Sequence, residues 1–134
     1  MKQFLIETDV LREYLVSSNS LLRSALTQGV CYTTMYNALE IFRLATSENE
    51  REVVKNMLSI VRVLGFNYRY AEQFADIIKE IEVESNTDVT EREALIIGMA
   101  KTSKLTILTR EYYDRYQSLH GVAVASQAMT VPSE

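Results

Sequence analysis

Cysteine, histidine, proline and glycine are scarce in this chain of 134 residues: one Cys, one His, one Pro and four Gly. The lone Cys31 excludes an internal disulfide and any paired-cysteine zinc pattern. The lone His120 excludes a histidine-rich metal site. So little Gly and Pro, beside 47% apolar and 24% charged residues, excludes collagen-like, low-complexity and disordered chains. Long hydrophobic runs are missing too. The longest, Ala94 to Ala100, is far short of a membrane span. The apolar start Phe4-Leu5-Ile6 meets Glu7 and Asp9 too soon for a signal peptide. A soluble, cytoplasmic protein with no membrane partner is expected. Excess positive charge is also absent: 14 basic against 18 acidic residues leave −4, which excludes coating nucleic acid by bulk charge but leaves a local basic patch open.

What is present is an alternation of strand and helix signals over one domain's length. Phe4-Leu5-Ile6 reads as a buried strand, and Val10, Leu11, Tyr14 and Leu15 recur at helical spacing after a capping Thr8 or Asp9. A second short helix carries Leu21, Leu22, Ala25 and Leu26 and closes at Gly29. Val30-Cys31-Tyr32-Thr33 reads as the next strand, and Met35, Ala38, Leu39, Phe42 and Ala45 as one face of a helix. Ser47 and Glu50 form a capping-box pattern before a helix bearing Val53, Val54, Met57, Leu58 and Val61. Val63–Phe66 is expected as a third strand, and Tyr70 to Ile81 as a helix. Glu82 to Val89 is expected as a polar connection and Thr90 to Ser103 as a helix covered by protein all round. Leu105–Leu108 reads as a strand, Glu111–Gln117 as a short helix and Gly121–Val124 as a last strand. This predicts a single α/β domain over residues 1–125, with helices on both faces of a mainly parallel sheet, and a loose tail over 126–134.

That topology has a chemical consequence. Each helix of a right-handed βαβ unit starts at the carboxyl edge of the sheet, where open α/β folds bind ligands. Glu7 ends the first strand, Glu40 lies in the helix after the second, Glu91 and Glu93 open the helix before the fourth, and Glu111 and Asp114 follow the fourth. Carboxylates gathered in one crevice repel each other unless protonated or neutralised by a cation. A hard ion with oxygen ligands, Mg²⁺ or Mn²⁺, suits such a set and would support phosphodiester hydrolysis. Each residue also has a plain reading. Thr90 to Glu93 is a capping box, Glu40 has Arg43 in salt-bridge range, and Glu7, Glu111 and Asp114 alone are ordinary surface charges.

Taken in order, these motifs resemble the PIN domain family, particularly the VapC-type toxin ribonucleases. The family's strand, Asp-Thr-Asn/Asp and Val-Leu correspond to Ile6-Glu7-Thr8-Asp9-Val10-Leu11. Its helical glutamate corresponds to Ala38-Leu39-Glu40-Ile41, and its Asp-x-Asp-Ala-Leu-Ile-Ala to Glu91-Arg92-Glu93-Ala94-Leu95-Ile96-Ile97. Its Thr-Arg-Asn or Thr-x-Asp corresponds to Leu108-Thr109-Arg110-Glu111, with Asp114 following. The resemblance implies a doubly wound α/β/α sandwich and a Mg²⁺- or Mn²⁺-dependent endoribonuclease, dimeric and paired with a small antitoxin. It implies that Glu7, Glu40, Glu93 and Glu111 take the metal positions, with Glu91 and Asp114 as further candidates. Asp9 and Thr109 would support them. Where the family has Asp, positions 7, 91 and 93 carry Glu, which keeps the charge but reaches one methylene further. A PIN-like domain without catalysis, binding RNA or protein, is the alternative that these replacements raise.

Arginine suits phosphate through its bidentate fork, so Arg110 and Arg92 are the expected RNA phosphate contacts, with Arg12 and Arg43 nearby. Tyr112, Tyr113 and Tyr116 invite stacking on unpaired bases, although aromatic clusters more often serve packing. Cys31 reads as inert packing and His120 as a structural turn residue. A phospho-acceptor receiver domain, also doubly wound, is set aside because Gly65-Phe66-Asn67 offers no acceptor Asp and no Lys follows Leu108 or Val124.

Overall fold

Phe4, Leu5 and Ile6 have almost no exposed surface, so the strand that holds them must be covered on both faces. In a computed structural model of the chain, which describes residues 1–17 and 19–128, they form β1 (Lys2–Ile6), the centre of a five-stranded sheet. The other strands are β2 (Gly29–Thr34), β3 (Arg62–Leu64), β4 (Thr106–Leu108) and β5 (Val124–Ala125). Their order is β3-β2-β1-β4-β5 and every pairing is parallel. Phe4 stands beside Cys31 on one side and Thr106 on the other, and Ile6 beside Leu108.

Because successive strand residues face opposite ways, β1 feeds two cores. Phe4 and Ile6 pack with α1 (Thr8–Val16), α2 (Leu21–Gln28), α3 (Met35–Leu44) and α4 (Glu48–Leu58) through residues such as Leu11, Leu22, Ile41 and Met57. Leu5 packs with α5 (Ala71–Ser85), α6 (Glu91–Ser103) and α7 (Tyr113–Gln117) through Ile81, Ile96, Ile97 and Tyr116. The architecture is thus the expected α/β/α sandwich, with its sheet wholly parallel. Chain order reverses beside β1, so the ends of β1 and β4 flank the topological switch point. In β2, burial pushes the Cys31 thiol up to about 11, as expected of inert packing.

Several element boundaries differ from the sequence reading. Gly29 closes α2 as expected, its N–H donating to the Ala25 carbonyl, and it also opens β2, where a Cβ would lie 2.0 Å from the Lys2 carbonyl oxygen. The polar stretch expected from Glu82 continues α5 to Ser85, where Asn86 ends the helix in the left-handed conformation. The third strand stops at Leu64, and the last begins only at Val124, because Gly121 turns the chain at φ 76°. Ser47 accepts from the Glu50 amide, but the Glu50 carboxylate goes to Thr46, so the capping box is one-sided. The interior of α6 is buried, while Leu95 lines an open apolar groove with Phe66, Tyr70, Phe74 and Met99. Ala128, expected in the loose tail, is buried against the first core; residues 129–134 lie outside the described residues.

Candidate functional site

Glu7 follows β1 at the carboxyl edge of the sheet, and its backbone N–H continues the ladder by donating to the Leu108 carbonyl at 3.1 Å. Extended backbone at φ −77°, ψ 165° makes it the N-cap of α1, and its Oε1 accepts from the Thr8 amide. The residue is 0% exposed. A buried carboxylate must be fully hydrogen-bonded or paired, and this one is both. Oε1 also accepts from Asn37 Nδ2 at 3.0 Å and Arg92 Nη2 at 2.7 Å. Oε2 accepts from Arg92 Nη1 at 2.9 Å and the Tyr116 hydroxyl at 2.6 Å.

Arg92, in the first turn of α6, joins Glu7 to Glu40. Its Nε and Nη2 donate to the two Glu40 oxygens at 3.0 and 2.8 Å, giving two forked pairs from one guanidinium. Thr8 Oγ1 donates to Glu40 at 2.5 Å and accepts from Asn37 Nδ2 at 2.9 Å. Asn37 is held in turn by Thr34 through a reciprocal capping box at the start of α3. The Tyr112 and Tyr36 rings flank the cation, with centroids 4.8 and 5.8 Å from the guanidinium carbon. Burial works against charge on Arg92, but the hydrogen bonds and charges of Glu7 and Glu40 outweigh it and raise its pKa further. Burial likewise works to raise the Glu40 pKa, and the bonds from Arg92 and Thr8 with the Arg92 charge bring it below its ordinary value. Burial, and then the Glu7 charge, push the Tyr116 phenol far up, so it stays a donor.

Glu93 takes no part in that cluster. It accepts from the Thr90 amide in the capping box, and Arg115 Nε and Nη2 donate to its two oxygens at 2.7 and 2.9 Å. Those bonds lower its pKa against a smaller effect of burial. Glu111 is an exposed residue paired with Arg12 at 3.2 Å. Glu91 and Asp114 are exposed in the first turns of α6 and α7. Asp9 and Thr109 form a latch between α1 and the turn after β4. Thr109 Oγ1 donates to Asp9 Oδ1 at 2.8 Å, and the amides of Arg110 and Glu111 donate to Asp9 Oδ2 at 2.9 and 3.0 Å.

The structure therefore joins Glu7 and Glu40 around a cation and sends Glu93 and Glu111 to other arginines. Arg92, expected to meet RNA phosphate, is turned inward onto carboxylates, and Arg110 is paired with Glu13 at 3.3 Å. Tyr116 packs in the core, as aromatic clusters more often do, and its hydroxyl is an added part of the centre. Asn37 and Arg115 were not singled out in the sequence; for Asn37 the only signal was its place three residues after Thr34.

These residues do not fit a divalent ion. Mg²⁺ demands near-octahedral oxygen ligands, while the Glu7 oxygens already accept five hydrogen bonds and Glu40 and Glu93 are each spanned by a guanidinium. Among the described residues, no group of three or more His, Cys, Asp or Glu side chains is placed to hold a metal ion.

No protein-family model matches the sequence, and no curated protein does either. Solved structures do match the fold. VapBC2 from Rickettsia felis, bound to a DNA fragment from its promoter, aligns over 92% of this chain and 97% of its own with a TM-score of 0.74 and 8% identity. A toxin–antitoxin complex from Klebsiella pneumoniae aligns over 94% and 97% with 0.69 and 15%. FitAcB from Neisseria gonorrhoeae aligns over 90% and 95% with 0.66 and 21%. At these identities the likeness establishes the fold, which is PIN-type as the sequence resemblance implied. Among the described residues no helix is long and apolar enough to cross a membrane.

Proposed function

We propose that this chain is a PIN-type domain without nuclease activity that works in the cytoplasm by binding a small antitoxin-like protein. The observation that carries the reading is Arg92: its guanidinium spans Glu7 and Glu40, the two acids that meet at the switch point. The partner is supported by the toxin–antitoxin neighbours and by an apolar groove between α1, α3 and α4. There Val16, Leu44 and Val53 are 83%, 54% and 51% exposed over Leu15, Ile41 and Val54. An amphipathic helix with anchors at i, i+3, i+4 and i+7 is the natural occupant of such a groove. The second apolar groove, beside Phe74 and Leu95, would serve a homodimer.

A second reading, the metal-dependent endoribonuclease toxin, is favoured by one observation: negative charge stands at positions 7, 40, 93 and 111 in PIN order around one edge. It requires Arg92 and Arg115 to leave their carboxylates, and RNA to enter beside Arg12, Arg43 and Tyr112. One experiment decides. The chain and its Glu7→Gln/Glu93→Gln variant are incubated with structured and unstructured RNAs in Mn²⁺, Mg²⁺ or EDTA. The proposal expects no cutting by either protein. Metal-dependent cutting by the wild type alone would establish the nuclease. Coexpression with a small antitoxin-like protein should give a complex that Leu44→Glu disrupts.

A further inference from the structure

We infer that the acidic centre is built around a resident guanidinium instead of a metal ion: Arg92 is its permanent counter-ion, and only its removal opens Glu7 and Glu40 to a divalent cation. Three observations combine. First, Arg92 satisfies both carboxylates by forks, at 2.7 and 2.9 Å to Glu7 and 2.8 and 3.0 Å to Glu40, so all four oxygens accept from it, including those of Glu40, which lines an open cavity with Arg12 and Arg43. Second, the seat fits a flat cation. Tyr112 and Tyr36 lie 4.8 and 5.8 Å from the guanidinium carbon, an arrangement that suits a planar, delocalised charge better than a small hydrated ion. Third, a guanidinium has one charge fewer than a divalent ion, and neutral donors supply the difference. The Asn37 amide, the Tyr116 hydroxyl and the Thr8 amide complete Glu7, and the Thr8 hydroxyl completes Glu40.

The same substitution recurs around the edge. Arg115 forks Glu93 and Arg12 meets Glu111, so Glu7, Glu40, Glu93 and Glu111 each have an arginine of their own or share one. The arginines come from three helices, α1, α6 and α7. An edge neutralised from within keeps its shape in the absence of divalent ions.

The inference rests on the same Arg92 geometry as the proposed function but fails separately. Stoichiometric Mn²⁺ binding by the wild type overturns the resident counter-ion even if no RNA is cut. RNA cutting without such binding overturns the function alone.

The test uses the full chain as wild type, Arg92→Gln and Arg92→Gln/Glu40→Gln, with Mn²⁺ calorimetry and thermal unfolding in Mn²⁺ or EDTA. The wild type should bind no Mn²⁺ at this centre and unfold at one temperature in both media. Arg92→Gln should unfold lower by on the order of 10 °C, bind one Mn²⁺ and recover part of the loss with it, whereas the double variant should gain nothing. Mn²⁺ binding by the wild type that Glu7→Gln abolishes would overturn the inference. So would an Arg92→Gln protein that unfolds like the wild type, or that folds without gaining Mn²⁺ affinity. If Arg92→Gln does not fold, refolding it with Mn²⁺ decides: recovery supports the seat and failure contradicts it. Arg92→Lys, which keeps the charge but not the fork, should unfold between wild type and Arg92→Gln in either medium.

Discussion

Two arginine–glutamate pairs stand at the same edge of the sheet and do different things. Arg92 and Glu7 are 20% and 0% exposed and meet through both terminal guanidinium nitrogens, whereas Arg12 and Glu111 are 51% and 53% exposed and meet at a single 3.2 Å contact. In the first, Glu7 is shut off from water, so each of its oxygens needs a protein donor and loss of one partner strands a buried charge. In the second, water replaces whichever partner is lost. Being gathered at one edge does not by itself make a group of carboxylates a metal site. What decides is where each side chain's counter-charge comes from, and here it comes from the chain.

The comparison can be broken most severely at Glu7. Glu7→Ala leaves part of Arg92 and the Tyr116 hydroxyl unpaired in the interior and should cost about 3–5 kcal/mol in a urea unfolding experiment. Asp9→Ala should come next, at about 2–3 kcal/mol, since it removes an ionised acceptor shared by Thr109 and two amides of the turn after β4. Hydrogen exchange should quicken at Arg110 and Glu111 without equal change at β1.

Acid sharpens the contrast further. Glu40 and Glu93 sit below their ordinary value of 4.5 in the folded chain. Each therefore adds stability that is complete well above 4.5 and is lost as pH falls below it, through the folded value. Stability against pH should drop in that acid range, and Arg115→Gln should flatten the drop by releasing Glu93. The smallest effect belongs to the exposed pair: Arg12→Ala should cost about 0.2–1 kcal/mol, and added salt should diminish it.

Much of the fold was legible in the residues. Three consecutive apolar residues at the start could only be a strand covered on both sides, and the alternation after it dictated a parallel sheet. Boundaries failed where one residue departed from the usual punctuation. The polar residues after Ile81 remain helical until Asn86, and Gly121 holds back the last strand to Val124. For the candidate site, the edge was legible and the pairing was not. Arg92 and Glu93 are neighbours about 100° apart around a helix, and the capping box read from Thr90 and Glu93 was the one sequence signal for which of them faces Glu7. The Thr90 cap fixes that choice by drawing Glu93 back to the helix start and toward Arg115, which leaves Arg92 facing β1. The Arg115 contact depends on α7 packing beside α6, a tertiary placement that spacing along the chain does not encode.

The central claim is that Arg92 holds the place a metal ion would need. The most direct measurement is a crystal structure of the wild-type chain grown with excess Mn²⁺, with anomalous scattering recorded for the metal. The account predicts the Arg92 guanidinium between Glu7 and Glu40 and no anomalous peak there. A manganese peak bridging those two carboxylates, with Arg92 swung away, would contradict it.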